Sequence, residues 1–189
     1  MSILRPSLVL AAFIAPLATG AAAQQSFVSP MGEPFHARQR GGDALADWFH
    51  QADTNHDGAL TVAELTADAD RFFATLDTDH DGEIGPDEIQ HYEEVIAIDN
   101  GYSEASSGRY GLLRNPEPVL SADSDFNRGV SAAEFRKAAS KRFALLDVNH
   151  TGRLTLPELE GLHGAAAAAS KRPERVKEQQ VGIDMPSPQ

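Results

Sequence analysis

Four segments of twelve residues share one template, and this repetition constrains the fold more than any other feature of the chain. The segments are DTNHDGALTVAE (Asp53–Glu64), DTDHDGEIGPDE (Asp77–Glu88), DSDFNRGVSAAE (Asp123–Glu134) and DVNHTGRLTLPE (Asp147–Glu158), called here loops 1 to 4. Each begins with Asp, ends with Glu and has an aliphatic residue at its eighth position. Because carboxylates packed into a short loop repel one another, the template indicates loops that are neutralised by a bound cation.

The spacing of the oxygen-bearing side chains identifies the class of cation. Side-chain oxygens at positions 1, 3 and 5 suit calcium, a hard cation that takes about six to eight oxygen ligands in loose geometry. With Glu at position 12, these segments resemble the calcium loops of the EF-hand family. The resemblance implies a backbone carbonyl ligand at position 7, a ligand that often acts through water at position 9, and a sharp turn at position 6.

The resemblance therefore assigns Ca²⁺ as the cofactor and names the metal ligands of each loop. They are Asp53, Asn55, Asp57, Ala59, Thr61 and Glu64 in loop 1; Asp77, Asp79, Asp81, Glu83 and Glu88 in loop 2; Asp123, Asp125, Asn127, Gly129, Ser131 and Glu134 in loop 3; and Asp147, Asn149, Thr151, Arg153 and Glu158 in loop 4. Gly85, at position 9 of loop 2, has no side-chain oxygen, so water is expected to fill that coordination position.

The four loops differ in charge and in turn chemistry. Loop 2 has four acidic ligands, whereas loop 4 has only Asp147 and Glu158. In loop 3, Arg128 occupies the glycine position, and a left-handed backbone there costs about 1 kcal/mol. Because ligand charge tunes calcium affinity, we predict that loop 2 binds most tightly and loop 4 most weakly.

The intervals between loops predict how the loops pair. The twelve residues from Leu65 to Leu76 contain neither Gly nor Pro, and their apolar residues recur at helical spacing, as do those of residues 135–146. Each interval is therefore one helix shared by two loops, which holds those loops roughly 20 Å apart. The fold class is all-α, with EF-hand helix-loop-helix repeats in two pairs, each sharing a central helix, and short β-pairing between loops. An antiparallel packing of the halves places Leu60 beside Leu154 and Ile84 beside Val130.

The remaining segments give the domain organisation. Arg5, the apolar run from Leu8 to Leu17 and Ala21-Ala22-Ala23 have the pattern of a secretory signal peptide. The predicted divisions are a signal peptide at 1–23, a flexible N-terminal segment at 24–42, the first EF-hand pair at 43–98, a linker at 99–118, the second pair at 119–163 and a largely disordered tail at 164–189. Pro116 and Pro118 leave no room for an ordinary entering helix before loop 3.

Composition excludes several classes of function. The formal net charge of -12 disfavours nucleic acid and anionic membranes as partners. The absence of cysteine excludes disulfides and thiolate metal sites. Because the loops also offer no clustered imidazoles, they are poorly suited to zinc, copper and iron. The N-terminal apolar run is shorter than the roughly 20 residues of a membrane span. There is no nucleophile elbow, HExxH or phosphate loop, so we do not expect an enzyme.

Two alternatives stay open within this interpretation of a periplasmic or secreted calcium-binding protein, which could be a buffer, a sensor or a calcium-stabilised module. The loop spacing also resembles that of lanmodulin, a lanthanide-binding family with Pro at position 2 and usually Asp at position 9. Here position 2 holds Thr54, Thr78, Ser124 and Val148, and no loop has Asp at position 9. The second alternative is a calcium-dependent interaction protein for an unknown envelope partner. Sensors of that kind have Met-rich surfaces, whereas this chain has three Met and none lies in the loops.

Overall fold

The computed structural model describes residues 26–39, 41–97, 112–113, 115 and 117–170. The helices in this part of the chain are α1 (Ala44–Ala52), α2 (Val62–Leu76), α3 (Pro86–His91), α4 (Ala132–Leu146) and α5 (Leu156–Ser170). The strands are β1 (Ser26–Val28), β2 (Pro34–His36), β3 (Ala59–Leu60), β4 (Glu83–Ile84), β5 (Val130–Ser131) and β6 (Leu154–Thr155). A π-helical turn, Tyr92–Ala97, follows α3. The predicted signal peptide, residues 99–111 of the predicted linker and residues 171–189 of the predicted tail lie outside the described residues.

Helix α2 is continuous between loops 1 and 2, as the sequence predicts. It begins at a capping box, in which the Thr61 N–H donates to the Glu64 carboxylate at 2.9 Å and the Glu64 N–H donates to the Thr61 hydroxyl at 3.3 Å. It ends where the Asp77 N–H donates to the Phe73 carbonyl. Helix α4 begins in the same way, with Ser131 and Glu134. Each helix has 15 residues and is about 22 Å long at about 1.5 Å per residue.

The strands pair loop 1 with loop 4 and loop 2 with loop 3. In the antiparallel pair β3–β6, Leu60 lies opposite Leu154, and in β4–β5, Ile84 lies opposite Val130. The predicted pairing is therefore confirmed, and so is the all-α EF-hand fold with short β-pairing. We call the two halves of the structure the 1–4 lobe and the 2–3 lobe, after the loops that each contains.

Each lobe has its own apolar core, and the two long helices contribute to both. The 2–3 lobe takes Phe72, Phe73 and Leu76 from the end of α2 and Phe135 from the start of α4. The 1–4 lobe takes Leu65 from the start of α2, with Phe143 and Leu146 from the end of α4. The two helices therefore run antiparallel, and the Arg136 guanidinium of α4 contacts the Asp70 carboxylate of α2 at 2.6 Å.

The prediction of a flexible segment at residues 24–42 was wrong for most of its length. Strands β1 and β2 form an antiparallel hairpin in which Phe27 lies opposite Phe35. Phe27 is buried in the core of the 1–4 lobe, where its ring centroid lies 5.3 Å from that of Trp48. Met31 is buried in the core of the 2–3 lobe. The hairpin is ordered because it covers apolar surface of both lobes.

Polar contacts hold the hairpin in place. The Tyr92 hydroxyl donates to the Gly32 carbonyl at 2.7 Å, and the buried Arg142 guanidinium donates to the Pro30 carbonyl at 2.9 Å. The Arg71 guanidinium lies between Glu33 of the hairpin and Asp68 of α2. Burial is the main influence on Glu33 and raises the pKa of its carboxyl above the ordinary value, although Arg71 acts in the opposite direction.

Two further boundaries differ from the predicted ones. Helix α5 continues to Ser170, so residues 164–170 belong to the helix and not to the tail. In the predicted linker, Leu112 is buried in the core of the 1–4 lobe, and the Pro118 carbonyl accepts a hydrogen bond of 2.6 Å from Arg142. Among the described residues that lead into loop 3, Leu120–Ala122 form a 3-10 turn. Among the described residues, no helix has the length and apolar character needed to cross a membrane.

The contact between α2 and α4 depends on Phe135, which is fully buried with its ring centroid 5.8 Å from that of Phe73. We expect Phe135→Ala to lower the free energy of unfolding of the metal-free protein by about 3–5 kcal/mol, because it removes apolar contacts and leaves a cavity. Phe126, in loop 3, is 85% exposed, so Phe126→Ala is a matched control with an expected change within about 0.5 kcal/mol. Urea unfolding measures both values, and equal losses would contradict this account of the core.

Candidate metal centre

The first residue of every loop is held by the backbone turn around it. One carboxylate oxygen of the Asp at position 1 accepts a hydrogen bond from the backbone N–H at position 6. The four N–H donors are those of Gly58, Gly82, Arg128 and Gly152, at 2.9, 3.1, 3.0 and 2.7 Å. Because the chain wraps around this carboxylate, Asp53, Asp77 and Asp147 are buried although they are charged.

The Glu at position 12 closes each loop at the other end. Its Oε2 atom accepts from the backbone N–H at position 9, with donors Thr61, Gly85, Ser131 and Thr155 at 2.9, 2.9, 3.0 and 2.9 Å. In loops 2 and 3, Oε1 also accepts from the position-2 N–H groups of Thr78 and Ser124, at 2.6 and 2.8 Å. The capping box that starts the exit helix therefore also fixes the predicted chelating carboxylate across the loop.

The ligands at positions 3, 5 and 7 are linked by short backbone turns. In loop 1, Asn55 Oδ1 accepts from the Asp57 N–H at 2.9 Å, and Asp57 Oδ1 accepts from the Ala59 N–H at 3.1 Å. Loops 2 and 3 repeat both bonds. In this way the position-7 residues Ala59, Glu83 and Gly129, predicted to offer carbonyl ligands, are tied to the side chain at position 5.

Left-handed backbone at positions 4 and 6 makes this winding possible. At position 6, Arg128 has a φ of 77°, close to the values of Gly58, Gly82 and Gly152 in the other loops. Arg128 thus keeps the turn, at a cost of about 1 kcal/mol. Position 4 has φ between 53° and 63° in His56, His80, Phe126 and His150. This second left-handed position was not predicted from the sequence, although the His at position 4 of three loops is a signal for it.

Loop 2 brings three carboxylates close together. One oxygen from each of Asp77, Asp79 and Asp81 lies within 4.8 Å of the others. Asp77 Oδ1 is buried and has no hydrogen-bond partner. An unpaired buried carboxylate oxygen is costly unless a cation or a donor satisfies it. An all-oxygen donor set with such an orphaned oxygen fits a calcium ion.

Loop 3 gathers a comparable set despite Arg128. Carboxylate oxygens of Asp123, Asp125 and Glu134 also lie within 4.8 Å of one another. Within the described residues, loops 2 and 3 are where three acidic side chains come together in this way. These two loops belong to the same lobe.

Loops 1 and 4 depart from this arrangement through contacts that they make with each other and within themselves. In loop 1, Asp57 Oδ2 accepts from Arg153 Nη2 of loop 4 at 2.8 Å. In loop 4, the Thr151 hydroxyl donates to the Arg153 carbonyl at 2.8 Å, which is the carbonyl predicted as the position-7 ligand. The Asn149 amide nitrogen donates to Glu158 at 3.3 Å. Several predicted ligands of the 1–4 lobe are thus already hydrogen-bonded.

Hydrogen bonds favour the ionised form of several predicted ligands. Backbone N–H groups of Ser124 and Ser131 lower the pKa of Glu134 from 4.5 to about 2. Donation from Thr155 lowers the pKa of Glu158. Burial opposes ionisation of Glu88, but the N–H groups of Gly85, Thr78 and Asp79 outweigh it and lower the pKa of its carboxyl. These carboxylates are ready to bind a cation at neutral pH.

Comparison with known proteins gives one family. The family model described as EF hand matches residues 45–67 and 69–91. The two matched segments contain loops 1 and 2 with parts of the helices on either side. No curated protein and no solved structure matches the chain.

The lowered pKa of Glu134 predicts a pH dependence of stability in the metal-free protein. The folded-state pKa of about 2 lies below the ordinary 4.5, so the stabilisation from Glu134 is present above about pH 4.5 and is lost as pH falls towards 2. We expect the melting temperature of the wild type to exceed that of Glu134→Gln at pH 6 and the difference to shrink towards pH 2. Calorimetry across this range measures it, and a constant difference would contradict the assignment.

Proposed function

We propose that this chain, whose residues 45–67 and 69–91 match the EF-hand family model, is an exported calcium-binding protein with its strongest site in loop 2. The observation that carries the proposal is the buried, unpartnered Oδ1 atom of Asp77 within a cluster of three carboxylates. Export rests on the signal-peptide pattern of residues 1–23. The proposed compartment is the periplasm or the cell exterior.

In loop 2, the residues that would hold the ion are Asp77, Asp79, Asp81 and Glu88, with the backbone carbonyl of Glu83. When bound, calcium supplies the positive charge that offsets the repulsion among these carboxylates. The loop turns, the capping box and the β4–β5 pair hold these groups in position. Binding free energy gained in such a site is also folding free energy, which suits an exported chain without cysteine.

One hydrogen bond favours calcium over a lanthanide-selective site of the lanmodulin type. That family carries Pro at position 2, and Pro has no backbone N–H to donate. Here the position-2 N–H groups of Thr78 and Ser124 donate to the Glu at position 12 at 2.6 and 2.8 Å. The chelating carboxylate of these loops is therefore oriented by a donor that a prolyl residue would lack.

The packing favours a calcium-stabilised module or buffer over a sensor that exposes a groove. A sensor of the calmodulin type opens a Met-rich apolar groove. In this chain Met31 is buried, and the hairpin that carries it is hydrogen-bonded to Tyr92 and Arg142. No role as an enzyme is proposed, since the oxygen ligands of the four loops are arranged for ion binding.

Isothermal titration of the mature protein with calcium tests the proposal. We expect about two to four ions per chain, with affinities that extend into the weak extracellular range of roughly 10⁻⁴ to 10⁻³ M. A parallel titration with lanthanum decides between the two metals, and lanthanum selectivity of many orders of magnitude would favour the lanmodulin-like alternative. The absence of heat or structural change up to about 10 mM calcium would overturn the proposal.

Glutamate-to-glutamine substitutions test the order of the sites. Glu88→Gln removes one charge and one chelating oxygen from loop 2, so we expect the tightest calcium site to weaken by at least about tenfold. Glu158→Gln makes the same change in loop 4, whose position-7 carbonyl already accepts a hydrogen bond, and is the matched control. Titration calorimetry measures both, and a larger effect of Glu158→Gln would reverse the order.

A further inference from the structure

In both lobes, the side chain at position 7 of one loop reaches across to the partner loop. In the 1–4 lobe, this side chain is Arg153, whose Nη2 atom contacts Asp57 Oδ2 at 2.8 Å. The two residues are 96 positions apart in sequence, and the β3–β6 pair brings them together. Arg153 thus contacts a predicted metal ligand of a different loop.

Arg153 donates to the second carboxylate oxygen of Asp57. Asp57 Oδ1 accepts from the Ala59 N–H at 3.1 Å, and Oδ2 accepts from Arg153. The corresponding residue of loop 2, Asp81, instead belongs to the cluster of three carboxylates.

The 2–3 lobe has the opposite charge at the equivalent crossing. Position 7 of loop 2 is Glu83, and its side chain lies over Gly129, the position-7 residue of loop 3. A Cβ atom at Gly129 would come within 1.6 Å of Glu83 Oε1, so the absence of a side chain there makes room for this carboxylate. A cationic side chain therefore crosses between the loops of the 1–4 lobe, and an anionic side chain crosses between those of the 2–3 lobe.

We propose that Arg153 is an intramolecular counter-cation for loop 1, which weakens calcium binding there and stabilises the 1–4 lobe when metal is absent. A guanidinium paired with Asp57 supplies part of the positive charge that calcium would otherwise provide, and calcium must compete with it for Oδ2. The proposal rests on the proposed calcium-binding function. It makes Arg153 a residue that sets affinity, beyond its assignment as a backbone ligand of loop 4.

The solvent exposure of the Arg153–Asp57 ion pair limits how much Arg153 can change calcium affinity. The side chains of Arg153 and Asp57 are 50% and 39% exposed, and exposed ion pairs are weak and screened by salt. We therefore expect a change in loop 1 affinity of about two- to fivefold, largest at low ionic strength.

The test compares Arg153→Gln with Arg136→Gln. Arg136 also makes an exposed ion pair, with Asp70 of α2, and its substitution changes the net charge equally but away from the loops. Calcium titration is followed by the fluorescence of Trp48, which lies in the helix entering loop 1 and donates to Asp68 at 2.9 Å. The step lost in Glu64→Gln identifies loop 1. We expect Arg153→Gln to tighten that step about two- to fivefold, and Arg136→Gln to change it less than about twofold.

A second readout uses no metal. In a chelator, thermal unfolding of wild type, Arg153→Gln, Asp57→Asn and the double variant forms a double-mutant cycle. We expect Arg153→Gln to lower the melting temperature in the wild-type background and to have little effect when Asp57 is already Asn.

The outcomes separate the two proposals. Wild-type protein that binds no calcium overturns the proposed function itself. Wild-type protein that binds calcium, while Arg153→Gln and Arg136→Gln titrate alike, overturns the role of Arg153 alone. An additive cycle in chelator would likewise show that Arg153 does not stabilise the metal-free 1–4 lobe through Asp57.

Discussion

A helix shared by two loops is the constraint from which the arrangement of this protein follows. Helix α2 starts at the capping box of loop 1 and ends at the first ligand of loop 2, and α4 does the same for loops 3 and 4. About 22 Å of rigid helix keeps the two loops at its ends apart. Each loop must therefore find its β-partner in the other half of the chain, as Leu60 does with Leu154 and Ile84 with Val130.

Because the two long helices are shared, each of them contributes apolar residues to the cores of both lobes. Because α2 and α4 run antiparallel, the start of one helix packs with the end of the other, and each lobe receives half of both. The β1–β2 hairpin spans the same two lobes through Phe27 and Met31. A change in the packing of one lobe therefore bears directly on the helices that carry the ligands of the other.

The periodic features of this fold could be predicted from the sequence, whereas its irregular contacts could not. The loop template and the breaker-free intervals predicted the shared helices and the register of Leu60 against Leu154. The hairpin at residues 26–36 was missed because its strands have three residues each, and its apolar side chains show neither strand nor helix periodicity. The left-handed backbone at position 4 could have been predicted from the His repeated there, because His is enriched in that conformation.

In particular, counting the acidic residues of each loop could not predict which ligands already accept hydrogen bonds from other groups. Loop 1 has a complete set of ligands in sequence, yet Arg153 reaches one of them from a loop that is distant in the chain. Loop 4 satisfies its own position-7 carbonyl with Thr151. Such contacts depend on which loops the tertiary fold brings together, and the residues within a single loop do not contain that information.

The pairing of the loops also fixes the order of the two lobes along the sequence. The strands of the 2–3 lobe lie between those of the 1–4 lobe in sequence, so forming β4–β5 shortens the effective length of chain that β3–β6 must close. Loop-closure entropy falls as that length falls. The inner lobe thus lowers the entropic barrier to forming the outer one, and a cation bound in loop 2 or loop 3 would promote assembly of the whole domain from its sequence centre outward.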